Sequence, residues 1–234
     1  MKIKPDLYAN VDDEGRLVLP QGINERLGLV PGSFVPVREL ANGLTVRLPV
    51  TLLKKVYIEP STHCNLSCKT CIRNTWDEDK GDMSQEVFNK TVEGLKSFSP
   101  KPSVVFGGFG EPLLNPHIVD MVSGVKQAGC RAELISNAIL LTPEMAQSLI
   151  NARLDVLWVS LDGATDQNYG YIRKGGLLDN VVENVSVFRD SRRAYRSEIG
   201  IVFVAMKHNI SELPSVVALG KKLGAVRFLV TNLL

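Results

Sequence analysis

Three cysteines within eight residues constrain this chain more than any other feature of its sequence. Cys64, Cys68 and Cys71 follow the spacing C-x3-C-x2-C, shortly after the apolar run Val56–Ile58. Three thiolates on one tight loop can hold three irons of a [4Fe–4S] cube, which leaves the fourth iron without a protein ligand. Clusters that only carry electrons usually have four cysteine ligands. The spacing therefore predicts a cluster with one iron open to another ligand.

Two other interpretations of these cysteines stay open at this point. A structural zinc site needs four nitrogen or sulfur ligands, but His63 is too close to Cys64 in sequence to turn into the same site. Cys130 would have to reach the loop through the fold. A disulfide framework is disfavoured because three of the four cysteines are clustered. S-adenosylmethionine (SAM), a cofactor of radical chemistry, can fill the open iron with its amino nitrogen and carboxylate oxygen.

Composition narrows the class of protein. The chain has 234 residues, of which 44% are hydrophobic and 22% charged, as in soluble globular proteins. A net charge of +2 provides no strong field for nucleic acid or an anionic membrane. Residues 1–6 lead into no apolar targeting segment, and no run of about 18 apolar residues exists to span a membrane. We expect a reducing cytoplasm, which an oxygen-sensitive cluster also requires.

Residues 1–50 differ from the rest of the chain, because short β-type runs alternate with turn residues, including the hairpin signal Asn42-Gly43. Residues 14–20 and 27–33 resemble the AbrB-like swapped-hairpin domain. That resemblance implies that two chains interleave to form a dimer. Many members of the family bind DNA, but residues 1–50 contain six basic and six acidic side chains. Nonspecific DNA affinity depends on cationic contacts, so we expect dimerisation or partner docking instead.

Residues 54–234 form the second predicted domain, reached through a short linker at residues 49–55. Strand-like and helix-like segments alternate, which indicates an α/β fold with a parallel sheet. Six repeats are too few for a closed eight-stranded barrel, so we predict an open (βα)6 partial TIM barrel with its site at the carboxyl ends of the strands. The predicted strands are Val56–Ile58, Ser103–Phe106, Ala132–Ile135, Val156–Leu161, Ile199–Ala205 and Val226–Thr231.

Polar residues follow four consecutive predicted strands. Taken singly, each fits ordinary turn chemistry or an exposed surface. Together, at one edge of a parallel sheet, they indicate a ligand site, with a carboxylate for an ammonium group and short polar side chains for ribose hydroxyls or a carboxylate. Besides the cysteines, these candidates are Gly110 and Glu111, Ser136 and Asn137, Ser160 and Asp162, and Arg173.

The spacing of these groups over residues 54–234 resembles the core of radical SAM enzymes. The resemblance implies that Cys64, Cys68 and Cys71 bind a [4Fe–4S] cluster. It also implies that Glu111, in a segment similar to the Gly-Gly-Glu motif of that family, holds the SAM amino group. Ser136, Asn137 and Ser160 fall where the family contacts SAM ribose and carboxylate, and Arg173 fits a further carboxylate contact.

Three positions depart from the family pattern. Thr70 stands where an aromatic residue usually lies beside the adenine, Phe109 replaces the first glycine of Gly-Gly-Glu, and Ala138 replaces the glycine of a common Thr-Asn-Gly segment. These departures leave the adenine contacts open and do not affect the prediction of a cluster.

Longer segments are similar to the radical SAM maturases associated with tungsten-cofactor oxidoreductases. They include residues 64–76, 157–163, 203–210 and 231–234, together with the AbrB-like region. The resemblance implies maturation of a tungsten or molybdenum pterin oxidoreductase or its cofactor. It also implies that a cysteine-rich region with a further cluster follows residue 234. We expect Cys130 to be a small buried residue and not a ligand.

The family resemblance implies a reaction and its partners. A reduced donor of the ferredoxin or flavodoxin type supplies an electron to the cluster, the S–C5′ bond of SAM breaks, and a 5′-deoxyadenosyl radical takes a hydrogen atom from an oxidoreductase or peptide client. Two alternatives remain: a peptide-modifying (SPASM-type) radical SAM maturase with the same core, and an AbrB-like regulator whose cluster senses redox state. The neutral first domain and the full set of SAM-type positions argue against the regulator.

Overall fold

The computed structural model describes residues 8–20, 22–23, 29, 31–32, 35–46, 53–192 and 195–232. The chain divides into two compact units. One comprises Met1–Lys54 with Phe98–Pro100, and the other comprises Lys55–Ser97 with Lys101–Leu234. Each unit is described by itself below.

The first unit contains two antiparallel hairpins. Strand β1 (Asn10–Val11) pairs with β2 (Leu17–Val18), and β3 (Val37–Leu40) pairs with β4 (Gly43–Val46) across the predicted turn at residues 41–42. Every residue of these four strands is exposed, including their valines and leucines.

The first turn of this unit shows why the chain reverses there. The Asp12 carboxylate accepts hydrogen bonds from the backbone N–H groups of Glu14 and Arg16 at 3.1 and 2.8 Å, which is typical turn chemistry for aspartate. Residues 23–29, for which the sequence predicts one to two helical turns, lie mostly outside the described residues, and the AbrB-like assignment stays a prediction.

The second unit contains a six-stranded parallel sheet in the order β10-β9-β8-β7-β6-β5. Each of the strands β5 to β9 is followed along the chain by a crossover that returns to the same end of the sheet, so all six carboxyl ends meet at one edge. This confirms the predicted α/β partial barrel. The strands are β5 (Lys55–Ile58), β6 (Ser103–Phe106), β7 (Arg131–Ser136), β8 (Val156–Ser160), β9 (Glu198–Ala205) and β10 (Ala225–Asn232).

Six α-helices accompany this sheet in the described part of the chain. Two of them begin at hydroxyl caps: the Ser84 hydroxyl accepts from the Val87 N–H at 3.3 Å, and the Thr142 hydroxyl accepts from the Met145 N–H at 3.2 Å. The seven-residue α4 was not predicted, because it is short and has Gly170 in its interior. The helices are α1 (Gln85–Leu95), α2 (Ile118–Gln127), α3 (Pro143–Asn151), α4 (Asp166–Ile172), α5 (Leu178–Ser191) and α6 (Leu213–Lys222).

The core lies between the sheet and these helices. The rings of Phe88 on α1 and Phe106 on β6 lie 6.2 Å apart, and both side chains are almost completely buried. Helix α2 contributes an apolar face, of which Met121 and Val125 are fully buried. No helix in the described part of the chain is long and apolar enough to cross a membrane.

Truncation of one core leucine tests this packing. Leu134, in the centre of β7, is 0% exposed, whereas Leu177, which precedes α5, is 65% exposed. We expect Leu134→Ala to lower the free energy of unfolding by about 2–5 kcal/mol, because it removes buried methyl groups and leaves a cavity. Leu177→Ala, the matched control, should lower it by less than about 1 kcal/mol. Urea denaturation followed by circular dichroism measures both, and equal effects would contradict the assigned burial.

Candidate active site

The cysteine loop follows β5 at the carboxyl edge of the sheet. Its backbone is attached to the residues around the end of α4, because the Ser67 N–H donates to the Lys174 carbonyl at 3.0 Å and the Lys69 N–H donates to the Ile172 carbonyl at 2.9 Å. The unpredicted helix α4 therefore supports the loop.

The three cysteines line one cavity of about 210 Å³. Cys68 is buried, Cys64 and Cys71 are half-buried, and all three are free thiols. Burial raises the pKa of the Cys64 and Cys68 thiols, which favours their protonated form. A bound metal has the opposite effect, because it promotes the thiolate form. Cys130 is 1% exposed and lies outside this cavity, as predicted.

Glu111 joins three parts of the site. It is 2% exposed, and its carboxylate accepts from the Ser136 hydroxyl at 2.7 Å, the Asn137 N–H at 2.8 Å and the Leu113 N–H at 3.2 Å. Its own N–H donates to the His63 carbonyl beside the cysteine loop at 2.7 Å. Burial raises the pKa of this carboxyl, whereas the three hydrogen bonds favour its charged form.

A carboxylate has about four lone-pair sites, and Glu111 uses three of them within the chain. Because Glu111 also lines the cavity, a further site remains for a donor bound there. An ammonium or amino group is the natural complement of this buried anion.

Ser136 and Asn137 form hydrogen bonds mainly with other residues of the protein. The Ser136 hydroxyl donates to Glu111 and accepts from the Ala138 N–H at 2.9 Å. The Asn137 side chain donates to the Asn65 amide oxygen at 2.8 Å and lies 3.9 Å from the Cys64 sulfur. Both residues line the cavity, and their bonds connect the end of β7 to Glu111 and the cysteine loop.

Ala138 is held in an unusual backbone conformation. Its φ of +61° lies in the left-handed region, and its side chain is fully buried. Glycine adopts this conformation without steric cost. Because Ala138 stands where the family pattern has glycine, the backbone is strained at the end of β7, beside Asn137.

Arg173 and Asp162 form a buried ion pair. Arg173 follows α4, lines the cavity, and donates to the Asp162 carboxylate at 2.7 Å through both Nε and Nη2. Asp162 is 0% exposed and also accepts from the Val204 N–H at 2.8 Å. Asp162 thus lies behind the cavity wall, where it positions Arg173, whereas Arg173 itself faces the cavity.

Ser160, at the end of β8, also lines the cavity. The residue is buried, at 8% exposure, and its hydroxyl can both donate to and accept from a bound molecule.

Glu59 is a structural residue of the site that the sequence analysis missed. It directly follows β5, and its carboxylate accepts from the Phe109 and Gly110 N–H groups at 2.5 and 2.9 Å. A Cβ at Gly108 would lie 2.3 Å from this carboxylate, and a Cβ at Gly110 would lie 1.8 Å from the Ser61 carbonyl oxygen. A polar residue directly after a strand was a candidate site residue at the other strands. The same criterion applied to β5 would have identified Glu59.

Comparison with known proteins decides the family. The profile of the Radical SAM superfamily matches residues 58–218, which is most of the chain and contains every residue of this site. The chain belongs to the radical SAM superfamily. Radical SAM proteins use a [4Fe–4S] cluster and SAM, and this chain is therefore an enzyme with those cofactors.

Two curated relatives lie within the same superfamily. The chain is 32% identical, over 186 residues, to the tungsten-containing aldehyde ferredoxin oxidoreductase cofactor-modifying protein of Pyrococcus furiosus, with 78% of this chain and 52% of that protein covered. It is 29% identical, over 172 residues, to the AdoMet-dependent heme synthase of Methanosarcina barkeri, with 73% and 48% covered. The chain thus spans about half the length of these relatives.

Solved radical SAM structures share the fold. SuiB of Streptococcus suis bound to precursor peptide SuiA matches 79% of this chain and 40% of that chain, with a TM-score of 0.65 and 17% identity. Native anSMEcpe with bound AdoMet and Cp18Cys peptide matches 78% and 51%, with a TM-score of 0.64 and 21% identity.

The close approach at Gly110 yields a prediction. We expect Gly110→Ala to weaken SAM binding at least tenfold in the cluster-loaded enzyme, because the added Cβ displaces the backbone next to Glu111. Gly94→Ala, on the exposed side of α1 with nothing within 4 Å of its Cβ, should bind SAM normally and gain about 0.5–1 kcal/mol of stability. Anaerobic calorimetric titration with SAM measures the affinities. Equal SAM affinity in both variants would contradict the assigned packing.

Proposed function

We propose that this radical SAM enzyme cleaves SAM reductively in the maturation of a tungsten or molybdenum pterin oxidoreductase or of its cofactor. The observation that carries the first part is the single cavity lined by three thiols, Glu111 and Arg173. The proposed role in maturation rests on similarity to the Pyrococcus furiosus cofactor-modifying protein.

The donor set of the cavity fits both cofactors. Cys64, Cys68 and Cys71 would hold three irons of the cluster. The anionic carboxylate of Glu111 would bind the SAM amino group, and the Arg173 guanidinium would bind the SAM carboxylate. When bound, the cluster and SAM supply reductive S–C5′ cleavage, which yields methionine and, after hydrogen abstraction from the client, 5′-deoxyadenosine.

The remaining polar groups would orient SAM. The hydroxyl of Ser160, on the cavity wall, would bond to a ribose hydroxyl. Ser136 and Asn137 would keep Glu111 in place, since their bonds to its carboxylate are already made. Asp162 would act in the same way on Arg173, through its two bonds to the guanidinium. Positioned charges of this kind need no reorganisation when a ligand arrives.

Apolar side chains exclude water from the other walls of the cavity. Leu66, Ile135, Val202 and Val204 line it together with the polar groups. A dry pocket suppresses side reactions of a reactive intermediate. It also strengthens the electrostatic attraction between the charged residues and SAM.

The alternative, modification of a peptide, rests on weaker support. The structures of SuiB and anSMEcpe contain peptides, but at 17% and 21% identity they support the shared fold and not a shared client. The 32% identity to the cofactor-modifying protein favours a pterin oxidoreductase or its cofactor as the client. We keep a reduced ferredoxin or flavodoxin as the proposed electron donor.

We also propose that residues 1–50 associate with a second copy of the chain. Several valines and leucines of the two hairpins are more than half exposed, among them Val11, Leu17, Val37 and Leu44. Apolar strands of this kind are usually covered by another sheet or chain.

Removal of one cysteine tests the cluster assignment. We expect Cys68→Ala to lose the visible absorption of the reconstituted cluster and all production of 5′-deoxyadenosine from SAM and dithionite. Cys130→Ala is the matched control, because Cys130 is equally buried but lies outside the cavity. It should keep iron content and turnover close to wild type. SAM cleavage by Cys68→Ala, or its absence in the cluster-loaded wild-type enzyme, would contradict the proposal.

Transfer of deuterium tests the client. An oxidoreductase of the tungsten or molybdenum pterin class, deuterated at its carbon positions, should transfer deuterium to 5′-deoxyadenosine, which gains one mass unit in mass spectrometry. An unrelated deuterated protein should not. The pterin proposal fails if SAM is cleaved but no deuterium leaves the oxidoreductase or its extracted cofactor, and transfer from a peptide alone would favour the alternative client.

A further inference from the structure

Arg73 is a buried cation directly behind the cysteine loop. It lies in the short 3-10 helix Ile72–Thr75 and is 7% exposed. One guanidinium nitrogen, Nη2, donates to the Leu66 carbonyl at 2.7 Å, in the middle of the loop. The Nε–H is buried and has no hydrogen-bond partner in the described part of the chain.

In the described part of this unit, no carboxylate pairs with Arg73. Within residues 53–192 and 195–232, no Asp or Glu oxygen forms a salt bridge with its guanidinium at 4.0 Å or less. Glu78 and Asp79 share with it the wall of a cavity of about 30 Å³, but both side chains are exposed to solvent. A buried, unpaired charge is strongly unfavourable, so the folded loop lacks a counter-charge for Arg73.

The cysteine loop itself is where that counter-charge would arise. Leu66, whose carbonyl receives the guanidinium, donates its own N–H towards the Cys64 sulfur at 3.5 Å. Leu66 thus contacts the Arg73 guanidinium through its carbonyl and the Cys64 sulfur through its N–H. The fixed positive charge therefore lies beside the loop that carries the three sulfurs.

A cube held by three thiolates is anionic, and each added electron makes it more so. A nearby fixed positive charge therefore stabilises the reduced form more than the oxidised form. We propose that Arg73 is the buried counter-charge of the cluster, and that it raises the reduction potential of the cluster as well as anchoring the loop. This inference rests on the proposed role of the three cysteines as cluster ligands.

Other cations near the loop do not fill this role. Arg173 is neutralised by Asp162 through the ion pair described above. The Lys69 ammonium is exposed and lies 3.0 Å from the centre of the Tyr171 ring. Lys80, which shares the small cavity with Arg73, is also exposed. Water and salt screen exposed charges, whereas Arg73 is shielded from both.

The potential of the cluster tests this role independently of catalysis. Anaerobically reconstituted wild type, Arg73→Gln, Arg73→Lys and the control Lys80→Gln are titrated with dithionite and redox mediators, and the reduced cluster is followed by electron paramagnetic resonance. In Arg73→Gln the ratio of reduced to oxidised cluster at a fixed potential should fall at least tenfold, about 59 mV for a one-electron couple. Arg73→Lys and Lys80→Gln should stay much closer to wild type.

Each outcome decides the inference. Equal potentials in Arg73→Gln and Lys80→Gln would overturn it. If Arg73→Gln loads no cluster but Arg73→Lys does, with unchanged circular dichroism before loading, the positive charge is required and the inference stands. Loss of cluster in both Arg73 variants would show that shape and not charge matters, and would overturn it. Absence of a cluster in wild type would instead refute the proposed function.

Discussion

The buried carboxylate of Glu111 is the interaction on which the site depends. It binds the end of β7 through Ser136 and Asn137, and its backbone N–H holds the start of the cysteine loop at His63. These bonds join three loops that arise at the carboxyl ends of neighbouring strands. Without them a charged group at 2% exposure would be unsatisfied, at a cost of several kcal/mol. The same bonds leave one side of the carboxylate for an amino group, so stability and ligand recognition use one residue.

A second layer of residues holds the groups that face the cavity. Asp162 fixes Arg173, Glu59 holds the backbone of residues 109–110, and the end of α4 supports the cysteine loop. Each of these supports comes from a different part of the chain, so the site forms only when these segments are brought together by the fold. Buried, satisfied polar networks of this kind hold functional side chains in one geometry.

Much of this arrangement follows from the sequence. Strands such as β6 and β8 read as apolar runs of β-branched residues, and their ends could be located to within two residues. The spacing of the cysteines and the polar strand ends predicted which loops meet. It could not tell which atoms face the cavity. In the sequence, Asp162 and Arg173 are equally good candidates for a residue that faces the cavity. Only the fold shows that Asp162 lies behind Arg173. The helix α4 was not predicted, because seven residues with an internal glycine show little hydrophobic periodicity.

This chain covers 52% and 48% of two curated relatives, so its client is a proposal, and the binding of SAM at the cluster is the central claim. The most direct measurement is electron–nuclear double resonance on the reduced cluster, with SAM that carries 15N in its amino group. Binding of SAM at the open iron predicts a 15N hyperfine coupling, which Cys130→Ala retains. A cluster signal that SAM leaves unchanged, with no 15N coupling, would contradict the claim.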